Sequence, residues 1–228
     1  MIRSRYACLI ARILTTITNH KTTTKMYTLL IDNGHGSNTP GKRSPLLEDG
    51  RSRLFEWEFT RRVAQRIVEL APQYDIKPVI LVPEDDDVEL SARATRANNY
   101  IRNHPGEKCV LVSIHGNAAG NGSSWMSARG WEAWTTVGKT NSDKLAEQLY
   151  NAARKFFPAD TKFRTDKSDG DQDKESNFTV IYKAACPAVL TENFFYDNQD
   201  DCRYMLSYEG IDAIAHAHLA GTVYYFTM

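Results

Sequence analysis

The sequence has no surplus of charge in either direction, since 28 Lys and Arg cancel 28 Asp and Glu across 228 residues. A dedicated nucleic-acid binder carries a basic excess, so binding to a phosphate backbone is disfavoured. Long apolar runs are missing too. A bilayer span needs roughly 20 such residues, whereas the stretch 211–226 is broken by Asp212, His216 and His218, and no integral membrane segment is expected. Cysteine is sparse. Cys8, Cys109, Cys186 and Cys202 form neither a CxxC pair nor a dense framework, so free thiols are expected; Cys109 and Cys186, each just before a strand-like run, are the one conceivable pair. No Pro/Gly/Ser-rich linker, internal repeat or low-complexity segment divides the interior. With 42% hydrophobic and 25% charged residues, the composition is that of one globular domain around a shared core.

Residues 1–25 contain no acid but carry Arg3, Arg5, Arg12, Lys21 and Lys25 around one apolar stretch, Tyr6 to Leu14. This makes a poor secretory signal, because Arg12 interrupts the stretch and no small-x-small cleavage site follows. An organellar presequence suits the basic, hydroxylated composition equally well. The preferred reading is that Met26 is the true start, because a strand begins at once with Tyr27. Two segments are therefore expected, an N-terminal extension over 1–25 and a folded domain over 26–228.

Within that domain strand and helix signals alternate. Apolar runs at 27–32, 78–82 and 109–114 read as buried strands, with further strands at 130–137, 178–182 and 188–191. Helical spacing links Phe59, Val63, Ile67 and Leu70 as far as Pro72, then Leu90, Ala94, Ala97 and Ile101 as far as Pro105. Ser142 is the expected N-cap of a helix through Leu145, Leu149, Ala153 and Phe156. Two more helices follow, near 200–208 and from Ile211 to Val223. Residues 166–177 lack any apolar side chain and read as a mobile solvated loop without a metal. The expected fold is α/β, a single domain with a mainly parallel twisted sheet of about six strands and helices on both faces.

Chemistry-bearing residues stand where strands end. His35 follows the first strand, His115 the third, and Glu192 the strand at 188–191. Ligand crevices of open parallel sheets lie at the carboxyl ends of the strands, so the three are delivered to one rim. Helix geometry adds a fourth, because at about 100° per residue Glu56 shares the face of Phe59, Val63 and Ile67 while Glu58 points away. A carboxylate aimed at a core needs a partner or a metal, and the helix N-terminus favours its ionised form. Two histidines and a glutamate suffice for zinc with one position left for water, and Glu192 is then placed to act as general base.

The segments IDNGHG (31–36), LFEWEF (54–59), SIHGNA (113–118) and PAVLTENFF (187–195) resemble, in order, the four motifs of zinc-dependent N-acetylmuramoyl-L-alanine amidases. Weaker similarity through ELSARATRANNYI (89–101) extends the resemblance over about residues 27 to 226. It implies an α/β enzyme that cleaves the amide between N-acetylmuramic acid and the L-alanine of the peptidoglycan stem peptide. It also implies that Zn2+ is held by His35, Glu56 and His115, with Glu192 as the catalytic glutamate. Asn33 stands where the family has Pro, Thr60 where it commonly has Asn, and Asn193-Phe194 where it has a small residue and Gly. These departures bear on loop shape and substrate preference, with Phe194 expected near the crevice.

Asn117 and Arg93 are candidate substrate contacts, weighed against a loop-stabilising Asn and a solvated surface Arg. Trp125, Trp131 and Trp134 could stack on sugar rings, but strand packing is preferred. His216 and His218 are two apart on a helix, cannot chelate one ion together and are expected to be structural. The implied partner is peptidoglycan, met as a monomer and outside the cytoplasmic membrane. Competing expectations are a zinc carboxypeptidase or endopeptidase acting within the stem peptide, and a wall-binding module without catalysis.

Overall fold

The computed structural model describes residues 27–228 and Ala11. The proposed extension over 1–25, with its Cys8, lies otherwise outside the described residues. Six strands form one sheet: β1 (Tyr27–Asn33), β2 (Ile76–Ile80), β3 (Lys108–Asn117), β4 (Trp131–Thr135), β5 (Lys174–Glu175) and β6 (Ala188–Phe195). Their order is β2-β1-β3-β6-β4-β5. The four strands β2, β1, β3 and β6 run parallel, β4 pairs antiparallel with β6, and β5 follows the direction of β4. Pro78, which lacks an N–H, sits in the outer strand β2.

Alternation along the strands sends side chains to two unequal cores. Leu29, Ile31, Val110, Val112 and Val189 enter the larger one. There they meet α1 (Glu56–Leu70), α3 (Asn141–Phe156) and α6 (Tyr208–Phe226). Leu30, Leu111 and Leu190 face the smaller one, built with Ala97 of α2 (Leu90–Asn103) and with Val180 and Ile181 of α4 (Thr179–Tyr182). A further helix, α5 (Gln199–Leu206), leads into α6. The expected α/β sheet covered on both faces is thus the observed one. No described helix is long and apolar enough to cross a membrane.

Some local expectations change. The run 178–182 forms the helix α4 instead of a strand, because a five-residue apolar run is ambiguous by period and here Val180 and Ile181 both turn inward. The cap of α3 is Thr140 rather than Ser142: Thr140 and Asp143 form a reciprocal capping box, while Ser142 Oγ accepts from the Ala188 N–H. Residues 166–177 are not wholly a solvated loop. Asp173 is buried beneath a 2.6 Å hydrogen bond from Thr135 Oγ1, and the next two residues make β5. Cys109, Cys186 and Cys202 are free thiols, as expected.

His216 and His218 are buried in α6 and bound within the protein. His216 Nδ1 lies 2.6 Å from Tyr74 Oη. The two ring nitrogens of His218 lie 2.9 Å from Thr191 Oγ1 and 2.7 Å from the Ile214 carbonyl. Burial pushes both imidazoles down to about 4. A depressed folded-state value contributes stability that is complete above the unfolded value near 6.5 and lost as pH falls through 4. Urea unfolding should therefore show stability declining between pH 6.5 and 4, and His218→Gln should flatten that decline while leaving an intact fold at pH 7.

Candidate metal centre

The loop after β1 places His35, and its shape is set by sterics. Gly34 passes so close to β3 that a Cβ there would lie 2.3 Å from the His115 ring, so only glycine lets the two motifs meet. His35 itself adopts φ +62°, and its carbonyl accepts from Arg61 Nη1 and Arg93 Nη2, each at 3.2 Å. His115 ends the straight part of β3, where a register shift before Asn117 turns the chain. Glu56 opens α1 at 1% exposure, and Glu58 points outward as its helical angle requires.

One carboxylate oxygen draws these parts together. Glu56 Oε1 lies 3.3 Å from His35 Nε2 and 3.2 Å from His115 Nδ1, and accepts from the Gly116 N–H at 3.1 Å. The imidazoles meet edge to face at 4.9 Å. One ligand atom from each residue lies within 4.8 Å of the others, the only such group among the described residues. Glu56 Oε2 is buried without a hydrogen bond, with Lys42 Nζ no nearer than 4.0 Å. Burial by itself raises the Glu56 carboxyl, but the hydrogen bonds and charges of His115 and His35 outweigh it and hold the group well below the carboxylate range. His115 is raised, its burial overcome by Glu56. An ionised carboxylate with an orphaned buried oxygen, between two imidazoles, is a donor set that fits zinc.

Glu192 stands beside this cluster. Parallel pairing sets it next to His115, so the two share a face of the sheet. Its Oε2 is buried without a partner. Burial foremost, with the charges of Glu56 and Glu132 adding to it against that of His115, pushes the carboxyl up to about 8.

The other candidate residues are engaged within the protein. Arg93 is neither a solvated residue nor placed for substrate: at 1% exposure it is among the most buried side chains. Nη1 donates to Asp32 Oδ1 at 2.7 Å and to the Asn33 carbonyl at 2.8 Å; Nη2 pairs with Asp87 at 2.8 Å, and Nε reaches the Val88 carbonyl. It therefore ties the His35 loop to α2. Asn117 is half-buried and engaged within the protein, donating to Glu132 Oε1 at 3.0 Å and accepting from the Ala118 N–H. Phe194 does not line a crevice either. It is 3% exposed, packs on Phe157 and Tyr204, and has φ +70°, a conformation that suits the glycine the motif usually carries there. Trp131 is a core residue and Trp134 packs on Phe178.

Several residues support the site through contacts that the sequence did not reveal. Asn193 is buried, donates to the His115 carbonyl at 3.0 Å and accepts from Trp131 Nε1. Ser113 Oγ donates to Asp32 Oδ2 at 2.5 Å. Glu132, 3% exposed beside Glu192, had a signal: alternation in WEAW sends it to the face opposite Trp131.

A family model described as N-acetylmuramoyl-L-alanine amidase matches residues 29–223. The chain belongs to this family. An N-acetylmuramoyl-L-alanine amidase of Bacillus licheniformis is 28% identical over 204 residues, covering 89% of this chain and 70% of the relative. The endolysin of Bacillus phage SPP1 is 26% identical over 201 residues, covering 84% and 63%. The chain thus spans about two thirds of these curated relatives. The crystal structure of the N-acetylmuramoyl-L-alanine amidase from Clostridium difficile 630 superposes with a TM-score of 0.70 at 27% identity, over 89% of this chain and 98% of that one. An amidase of Nostoc punctiforme, at 23% identity and a TM-score of 0.69 over 89% and 98%, shares the fold.

Removing Arg93 tests its part in this arrangement. Arg93→Met would leave Asp32 buried with Ser113 alone, and loss of one partner of a buried pair costs about 3–5 kcal/mol. Chemical denaturation should show a destabilisation of that order, and Arg93→Lys should recover only part of it because one ammonium cannot span the same acceptors.

Proposed function

We propose that the protein is a zinc-dependent hydrolase of peptidoglycan, acting on the amide between N-acetylmuramic acid and the L-alanine of the stem peptide. The observation that carries this reading is the meeting of His35, Glu56 and His115 around one buried carboxylate oxygen, with Glu192 beside them in register. His35, Glu56 and His115 would hold the metal. Bound there, zinc supplies Lewis acidity to a carbonyl and acidifies water.

The remaining work belongs to this chain's own side chains. Glu192 holds its proton close to neutrality because it is buried, so its carboxylate can take a proton from the attacking water and return it to the departing nitrogen. The Gly116 N–H donates to Glu56 Oε1 and orients that carboxylate, and Asn193 fixes the His115 carbonyl behind the ring. The site of action is the cell wall, outside the cytoplasmic membrane.

Mass spectrometry of products from purified peptidoglycan tests the reading. Stem peptides with a free N-terminal L-alanine and unsubstituted glycan are expected, with Glu192→Ala slower by about 10²–10⁴-fold, the usual worth of general acid–base catalysis. Loss of a terminal residue or scission of a cross-link would instead assign the chemistry to the stem peptide. Wall binding without any cleavage by the zinc-loaded protein would leave a binding module.

Zinc is tested apart from turnover. Chelation should lower the thermal midpoint, zinc should restore it, and His35→Ala should remove the metal from elemental analysis. A purified wild-type protein that takes up no zinc would overturn the metal assignment.

A further inference from the structure

The row of polar side chains at the sheet rim continues past Glu192. Glu132 on antiparallel β4 pairs with Glu192 as Glu192 pairs with His115, so the three stand side by side on one face. Glu132 is buried at 3% exposure, and its oxygens are fully engaged. Oε2 accepts from Arg164 Nε and Lys174 Nζ, both at 2.7 Å; Oε1 accepts from Asn117 Nδ2 and Trp134 Nε1, both at 3.0 Å. Glu132 is thus met by two cations; Asp166 acts on Lys174 as a further acid, and the charge left over is that of Arg164.

That surplus is held in a definite shape. The Arg164 side chain is 31% exposed and the Lys174 side chain 21%. The guanidinium of Arg164 lies over the Phe195 ring at 5.1 Å, and Lys174 lies over Trp134 at 5.0 Å. Arg164 is fixed through Nε alone, and neither terminal amino group has a hydrogen-bond partner among the described residues. A guanidinium anchored in this way offers a preorganised fork, the geometry that receives a carboxylate through two parallel hydrogen bonds.

We propose that Arg164, with Lys174 beside it, forms a binding site for a carboxylate of the peptide whose first amide lies at Glu192. The identity of that peptide rests on the amidase reading. Adjacent strands are about 4.8 Å apart, which puts Glu132 one strand from Glu192 and the Arg164 fork one side chain further, on the order of 10 Å away. An extended peptide advances about 3.3–3.6 Å per residue. The carboxylate is therefore that of the second or third residue, and the site selects acidic stems over amidated ones.

Isothermal titration calorimetry of the full chain tests this with two synthetic tripeptides that begin with L-alanine and end in an amide. They differ only in whether the side-chain carboxyl groups of the second and third residues are free or amidated. Wild type should bind the acidic peptide at least about tenfold more tightly, the worth of roughly 1.4 kcal/mol. Arg164→Gln should abolish that preference in a protein that circular dichroism shows to be folded, and Arg164→Lys, which keeps the charge without the fork, should retain part of it. Equal binding of both peptides by wild type, or an equal loss for both in Arg164→Gln, would overturn the proposal. If neither peptide binds at millimolar concentration, the site is likewise excluded. Release of stem peptide by wild type is scored separately: discrimination without release preserves the carboxylate site and removes the amidase reading, whereas release without discrimination does the reverse.

Discussion

The structure turns on a single carboxylate taken out of water. Glu56 projects from the first turn of its helix into the rim of the sheet, where an ionised acid is tolerated only if something replaces its hydration. Two imidazoles and one backbone amide converge on the same oxygen, while the second oxygen is buried without a hydrogen bond. The surrounding constraints follow from that demand. Glycine is required at 34 so that β1 and β3 deliver their histidines to one point, and β3 must bend directly after His115 to present the Gly116 amide.

Around this centre lie three further acids, each in a different setting. Asp32 is neutralised from behind by Arg93, whose guanidinium also gathers loop carbonyls. That arrangement supports the positive-φ His35, a conformation that costs on the order of 1–3 kcal/mol unless its surroundings enforce it. Glu132 is compensated from the front, by side chains that remain partly open to solvent. Glu192 has neither kind of partner, and the absence of compensation is what keeps its proton near neutrality. Four carboxyl groups spread along one end of the sheet thus acquire separate duties through their neighbours alone.

Much of this was legible in the chain. His35, His115 and Glu192 announce themselves by following apolar runs, and the helical angle of Glu56 separates it from Glu58. Other features depend on contacts that no local pattern encodes. Asp173 sits in a polar tract, and only its meeting with Thr135 buries it. Residues 178–182 are too short for period to separate strand from helix. Arg93 was legible in part: it lies on the same face of its helix as Ala94 and Ala97, yet a charged side chain on such a face is ordinarily assumed to reach water. The acids that bury it lie 61 and 6 residues away in sequence.

The two ends of the strand order deserve a reading of their own, because an open sheet offers unpaired backbone groups to any neighbour. On one side Pro78 removes a donor from the middle of β2. On the other, β5 is only two residues long and presents too little backbone to template a further strand. Neither margin offers a long unbroken row of backbone groups to a second molecule, so the sheet is closed to further strands by composition on one side and by length on the other.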